Sequence, residues 1–270
     1  MKSSAALVLL MAALSAIPSA AMPLGLRLSA QAAAKGAAEK DPMELTEAEA
    51  YERYAPDTAF VIDVTDLSSE SAAKCRVYLG DFRSDSEIAD RWIDWGDGSR
   101  TNSITKSGFQ YHTYTRTGKY VVRISDCTIN RTGPGFVSYF SNYMGKVIFA
   151  LRYGDHISAF GGVNGGFQQC RGLRNDKWLP RWPTSLTSAN STFSGCTSLA
   201  ATSLPAWPTS LTSADSTYKG CTGLTGAWTS DPAELMPTNI TSHDNCVSGA
   251  SDALRALFYS DWGGTRTKTE

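Results

Sequence analysis

The side chains in this sequence that could move a proton are few and scattered. Asp94, Asp97 and Asp155 are carboxylates that could work with His112 or His156 as an acid–base pair, the minimum for an exported hydrolase. Nothing in their spacing gathers them. His112 has no recognisable nucleophile beside it and reads as a packed strand residue. Asp94 and Asp97 supply too few oxygens for calcium and read instead as turn residues. Only three histidines occur in the 270 residues, so no histidine metal site is expected. The six cysteines, Cys75, Cys127, Cys170, Cys196, Cys221 and Cys246, have no C-x-x-C spacing of a zinc ribbon or redox motif. Hydrogen bonding has far more residues behind it. Between 179 and 228, 19 of 50 residues are Ser or Thr, and only Arg181, Asp215 and Lys219 are charged. A neutral hydroxyl face suits sugars or peptide backbone and holds no proton-transfer pair, although the same hydroxyls can also satisfy turns.

The composition sets the class. With 42% hydrophobic and 19% charged residues the chain can bury one or two cores, which excludes disorder and coiled coil. A formal net charge of −1 leaves no field to hold a polyanion, so no nucleic-acid partner is expected. Residues 1–21 have an early Lys2, an apolar run from Ala5 to Ile17, then Pro18 and small residues, the pattern of a secretory signal peptide. Ser19 and Ala21 suit a cleavage site before Met22, and Ala30-Gln31-Ala32 is a second candidate. The run is too short to span a bilayer, and no later stretch is long and apolar enough to do so. The mature chain is therefore expected to be secreted or held at the cell surface, without a transmembrane segment.

Along the chain, 22–56 reads as a linker with one loosely held helix, started by the capping box Thr46…Glu49. From Phe60 the texture becomes alternating apolar segments, Phe60–Val64, Arg76–Leu79, Trp92–Trp95 and Tyr120–Ile124, separated by Gly, Asp and Ser, which predicts a small all-β sandwich over 57–128. Trp95, Asp97 and Gly98 mark a hairpin turn, because glycine accepts positive φ and Asp bonds its own backbone.

The second half repeats. Residues 204–228 restate 179–203 with 16 of 25 positions identical. Trp182 returns as Trp207, Phe193 as Tyr218, Cys196 as Cys221 and Leu199 as Leu224; Phe167, Cys170 and Leu173 form an upstream copy. Leu186, Leu211 and Ile240 continue the register, and Met236 and Val247 mark a looser copy downstream. A unit of this length cannot cover its own apolar side, so the repeats over 161–250 predict a short solenoid in which these positions form inward ladders. Residues 129–160 are a connector and first rung, and 251–270 a cap and tail whose Ser251–Tyr259 stretch suggests a short closing helix. Trp178 and Trp228 fall out of register and are expected at the surface, where they could stack against carbohydrate rings. The column cysteines are expected as buried thiols, and Cys246 aligns with Thr217, outside that column.

Two resemblances match these readings. The Trp-Gly-Asp-Gly turn at 95–98, followed by His112-Thr113-Tyr114 and Gly118-Lys119-Tyr120-Val121-Val122, resembles the PKD family of immunoglobulin-like domains, which implies a spacer or adhesion module. Cys75 and Cys127 would lie at the start and end of that unit, either as a disulfide or as buried thiols. The Phe-x-x-Cys-x-x-Leu unit with its Leu-Pro and Leu-Thr-Ser elements resembles the BspA-like leucine-rich repeats of bacterial surface proteins. In these a PKD-like domain often precedes the repeats, joined by a strand like Phe136–Phe140 and a first rung like Val147–Asp155. The expected fold class is therefore mainly β: a PKD-like sandwich followed by a leucine-rich-repeat-type solenoid of strand plus short helix or turn. The expected function is non-enzymatic adhesion or ligand binding, with an unidentified protein or carbohydrate as partner and no cofactor, metal or catalytic residue. The alternative is a structural component of an envelope or phage-like particle.

Overall fold

The computed structural model describes residues 40–69, 73–79, 91–104, 108–125, 146–157, 159–160, 166–226 and 239–265. The described residues are mainly β, with antiparallel sheets, one short parallel pairing and two short α-helices. The strands are β1 (Thr58–Val64), β2 (Lys74–Leu79), β3 (Trp92–Asp94), β4 (Arg100–Asn102), β5 (Gly108–Thr113), β6 (Gly118–Ile124), β7 (Val147–Arg152), β8 (Ala159–Phe160) and β9 (Ser188–Ala189). The helices are α1 (Glu47–Tyr54) and α2 (Asp252–Arg255).

Five strands form one antiparallel sheet in the order β4-β3-β6-β1-β7, and β2 and β5 form a second, two-stranded one. The period-2 alternation assigns the faces. In β1, Phe60, Ile62 and Val64 join Val77 of β2, Ile93 of β3 and Val122 of β6 in one core, while Ala59 and Val61 point the other way. Both faces of β1 are covered, which is why its sequence is almost continuously apolar. The β3–β4 hairpin holds the turn expected around Asp97-Gly98.

The second face is covered by α1. Its capping box closes as expected: Thr46 Oγ1 accepts the Glu49 N–H at 3.3 Å, and Glu49 Oε2 accepts the Thr46 N–H at 2.7 Å. The expectation of a loosely held helix is corrected. Leu45, Ala50 and Tyr54 are buried against Ala59, Val61, Phe149, Leu151 and Trp178. The Tyr51 ring lies between the guanidinium groups of Arg152 and Arg181, 5.0 and 5.1 Å away, and its hydroxyl donates to Arg181 O at 2.6 Å. Helix propensity in a lone eight-residue segment is weak, so this packing supplies its stability.

A second correction concerns Val147–Arg152, read above as a first rung. The segment pairs antiparallel with β1 as the last strand of the five-stranded sheet. Its outer edge is closed by Asn175, whose Oδ1 accepts the Ala150 N–H at 2.8 Å and whose Nδ2 donates to Ala150 O and Trp178 O, both at 2.9 Å.

Beyond β7 the repeated segments lie side by side. Ala159 and Phe160 pair in parallel with Ser188 and Ala189, and Ser188, Ser213 and Ser242 bridge in parallel from one repeat to the next. Equivalent rings stack: Phe167 on Phe193 at 5.9 Å and 11°, Phe193 on Tyr218 at 5.6 Å and 5°, and Trp182 on Trp207 at 5.5 Å and 6°. Tyr153 begins the tryptophan column, 5.7 Å from Trp182 and 10° from parallel. Leu173, Leu199 and Leu224 are fully buried, and each such side chain contributes roughly 1.5–3 kcal/mol. Gly195 and Gly220 turn each repeat at φ +77° and +71°, and a methyl group on Gly195 would strike the Gln169 side chain.

The stack closes with α2 and a 3-10 turn, Ser260–Trp262. Ser251 caps α2 by accepting the Leu254 N–H at 3.2 Å. Trp262 O accepts the Val247 N–H at 3.1 Å, and its ring lies on that of His243 at 4.3 Å.

Tyr218 occupies the place that Phe193 holds one repeat earlier, and among the described residues its buried hydroxyl has no hydrogen-bond partner. An orphaned buried hydroxyl is destabilising. Tyr218→Phe is therefore expected to leave stability unchanged or raise it by up to about 1 kcal/mol, read from the denaturant midpoint. A loss of that size would show that the hydroxyl is used.

Candidate functional site

Two places collect polar side chains. The first is the turn after β3. Asp97 Oδ1 accepts the Ser99 N–H at 3.0 Å and the Ser99 hydroxyl at 2.5 Å, and Asp97 Oδ2 lies 2.7 Å from His112 Nε2. Ser99 Oγ is 3.3 Å from the same nitrogen. A proton relay needs the carboxylate and the nucleophile on opposite ring nitrogens. Here both meet Nε2, so the trio ties the turn to β5. Trp95 stacks under His112 at 5.2 Å, its indole donates to Thr101 Oγ1 at 2.9 Å, and its carbonyl receives the Tyr114 hydroxyl at 2.8 Å. Gly96, at φ +82°, presses so close to Val121 that a Cβ would lie 2.5 Å from its carbonyl oxygen, and Gly98 follows at φ +91°. Asp94 Oδ1 accepts the Gly96 N–H at 2.9 Å, and Asp155 is held by Arg152. His156 is exposed in the turn beside Asp155.

Partial burial works to raise the Asp97 carboxyl, but the Ser99 and His112 hydrogen bonds outweigh it and hold the group below the usual carboxylate range. The stabilisation is then complete above the unfolded-state value of about 3.9 and fades as pH falls through the lower folded value. Asp97→Ala is expected to cost about 2 kcal/mol at neutral pH and to flatten the decline of stability below about pH 4. Urea unfolding at several pH values checks both, and parallel curves for the two proteins would refute the assignment.

The second place is the repeat surface. Many of its hydroxyls are spent inside the stack. Ser185 donates to Ile157 O, Ser188 to Phe160 O, Ser210 to Leu186 O and Thr212 to Thr187 O, at 2.7–3.0 Å. Thr192 and Thr217 are buried and donate to Ala189 O and Ala214 O. Thr197, Ser198, Thr222 and Thr225 are exposed, and among the described residues their side chains have no partner. The sequence did not single out Asn190, Asp215 and Asp244, which stand two residues after the bridging serines. Asn190 Oδ1 accepts the Asp215 N–H at 2.8 Å, and Asp215 Oδ1 accepts the Asp244 N–H at 2.7 Å. Aligning Ser-x-Asx across the repeats would have revealed the column.

Cys170, Cys196, Cys221 and Cys246 are fully buried thiols. Cys196 and Cys221 each donate to the carbonyl of the aromatic residue one repeat back, Phe167 O and Phe193 O, at 3.0 Å. Burial pushes the Cys170 and Cys196 thiols well up, and that of Cys246 to about 12, so they stay protonated. Cys246 bonds with Thr217, its counterpart in the previous repeat.

The expectation of an exposed Trp178 is corrected. Trp178 is 8% exposed, packs edge-on against Phe149 and donates to Leu45 O at 3.1 Å, because the segment leading into α1 covers it. It has no open face for a sugar. Trp228 lies outside the described residues, as do Cys127 and therefore its pairing with buried Cys75, residues 1–39 with the signal segment, and Phe136–Phe140. Among the described residues, no three His, Cys, Asp or Glu side chains are grouped to hold a metal, and no helix is long and apolar enough to cross a membrane. No protein-family model, curated protein or solved structure matches this chain.

Proposed function

We propose that this chain is an exported, non-enzymatic binding protein of the cell surface. In this reading a PKD-like sandwich over 57–128 is the spacer, and a leucine-rich-repeat-type solenoid over 161–250, of BspA-like character, is the head that meets a protein or carbohydrate ligand. The observation that carries it is the in-register stacking of Phe167, Phe193 and Tyr218 beside Trp182 and Trp207, which makes a rigid support for outward hydroxyls. Thr197, Ser198, Thr222 and Thr225 are among the hydroxyls left available, and donors that can also accept are suited to sugars and peptide backbone. The leader-like residues 1–21 favour export.

The test is binding of the folded chain to a glycan array and to a panel of extracellular matrix proteins. Saturable binding weakened by Thr197→Ala and Thr222→Ala together supports the reading. Uniform absence of binding by a folded sample overturns it. The internal use of Ser185, Ser188, Ser210 and Thr212 favours a second reading, a structural component of an envelope or phage-like particle, for which the chain would assemble with itself in sedimentation.

A further inference from the structure

Two successive junctions between repeats share the same four groups of contacts around a Ser-x-Asx segment. The Ala189 and Ser191 N–H groups donate to Ser213 O and Asp215 O, both at 2.8 Å. One junction on, Ala214 and Ser216 donate to Ser242 O at 2.8 Å and Asp244 O at 2.9 Å. In return, Asn190 Oδ1 accepts the Ser213 hydroxyl at 2.7 Å and the Asp215 N–H at 2.8 Å. Asp215 likewise accepts the Ser242 hydroxyl at 2.6 and 2.7 Å and the Asp244 N–H at 2.7 Å.

In the last repeat the equivalent groups are the His243 and Asn245 N–H and the Asp244 carboxylate. Among the described residues none of the three has a hydrogen-bond partner. Asp244 and Asn245 are exposed. Of the backbone donors in this row the closing segment takes the next one, Val247 N–H; it also sets Asp261 O 3.3 Å from His243 Nδ1 and lays Trp262 over the His243 ring.

We infer that this notch is a docking site for an extended segment of a partner protein, of the pattern Ser or Thr, then Gly or Ala, then Asp or Asn, which adds one more parallel rung. The partner is the continuation of the existing junction: Ser242–Asp244 and Ser213–Asp215 already sit on the same surface one and two repeats earlier. Its serine carbonyl accepts from His243 N–H and its Asx carbonyl from Asn245 N–H. Its hydroxyl and Asx N–H donate to Asp244. Main-chain bonds supply the affinity of such strand addition, and side chains the selectivity. Because Trp262 already lies on His243, the central residue of the partner has to be small. The site is separate from the hydroxyl face of the proposed function and does not rest on it.

The test titrates a labelled peptide, Leu-Thr-Ser-Ala-Asp-Ser-Thr, against the full chain by fluorescence anisotropy. Saturable binding is expected, weakened about tenfold or more by Asp244→Ala and by N-methylation of the peptide's aspartate, each of which removes a charge-assisted bond. Replacing the peptide's alanine by leucine weakens binding similarly, and Glu52→Ala, at an exposed position of α1, leaves it unchanged. Asp244 is exposed, so its variant folds, as circular dichroism will verify. Absence of saturation, or equal affinity for Asp244→Ala, overturns the inference. So does sedimentation showing that the chain pairs with itself through Asp244, since the notch would then belong to a second copy.

Discussion

Asn175→Ala will lower the thermal midpoint by about 10 °C, the loss of about 3–5 kcal/mol in a chain of this size. Asn175 is fully buried, and its amide gives both an acceptor and a donor to the two backbone groups of Ala150 that point out of the sheet edge. Its second amide proton holds Trp178 O. Alanine leaves three backbone groups without partners in a dry interior, each costing about 1–3 kcal/mol. Part is recovered as water enters. Aspartate is not an adequate substitute at this position: a carboxylate can still accept the Ala150 N–H but has no proton for either carbonyl. Asn175→Asp should therefore be as damaging at neutral pH and milder in acid, where the protonated group donates once. A loss below about 1 kcal/mol for the alanine variant, by calorimetry, would mean that Asn175 does not seal the edge.

Trp182→Ala is the second large effect, about 3–5 kcal/mol. The ring is nearly parallel to those of Tyr153 and Trp207 and also meets Phe193 at 5.8 Å and Phe160 at 6.3 Å, so the cavity opens where the five-stranded sheet gives way to the repeats. Neighbours stacked on both sides cannot collapse into it without breaking register. Trp182→Phe should cost much less, because a ring remains and the buried indole N–H it removes has no partner among the described residues. The two columns also predict coupling. Trp182→Ala and Trp207→Ala together should deviate from the sum of the single changes by about 0.5–3 kcal/mol, since the first removes the face on which the second rests. Additive losses in urea unfolding would show that the rings do not support each other.

Local rules made part of this molecule readable. Alternation located β1, β3 and β6, turn chemistry located the β3–β4 hairpin, and the capping box located the start of α1. The 25-residue repetition identified Phe193 with Tyr218 and Trp182 with Trp207 independently of their stacking. What stayed hidden was decided by neighbours distant in the chain. Trp178 breaks the repeat register and so looks exposed, but Leu45, just before α1 and more than a hundred residues earlier, covers it. Val147–Arg152 is an apolar run that fits a rung or a sheet strand equally well, and only pairing with β1 separates the two. The Ser-x-Asx column is visible in the letters, but the sheer abundance of hydroxyls around it conceals the regular offset of its acceptors.

The backbone N–H groups of Phe167, Ala189, Phe193, Ala214 and Tyr218 all point the same way along the stack, toward the carbonyls of the repeat that follows. A pile of this kind has a head and a tail, and its seams at Ala189 and Ala214 are alike. One 25-residue unit could then be spliced in or cut out between 179 and 228 with both termini meeting unchanged surroundings, so the reach of the molecule can be altered by duplication without redesigning either end.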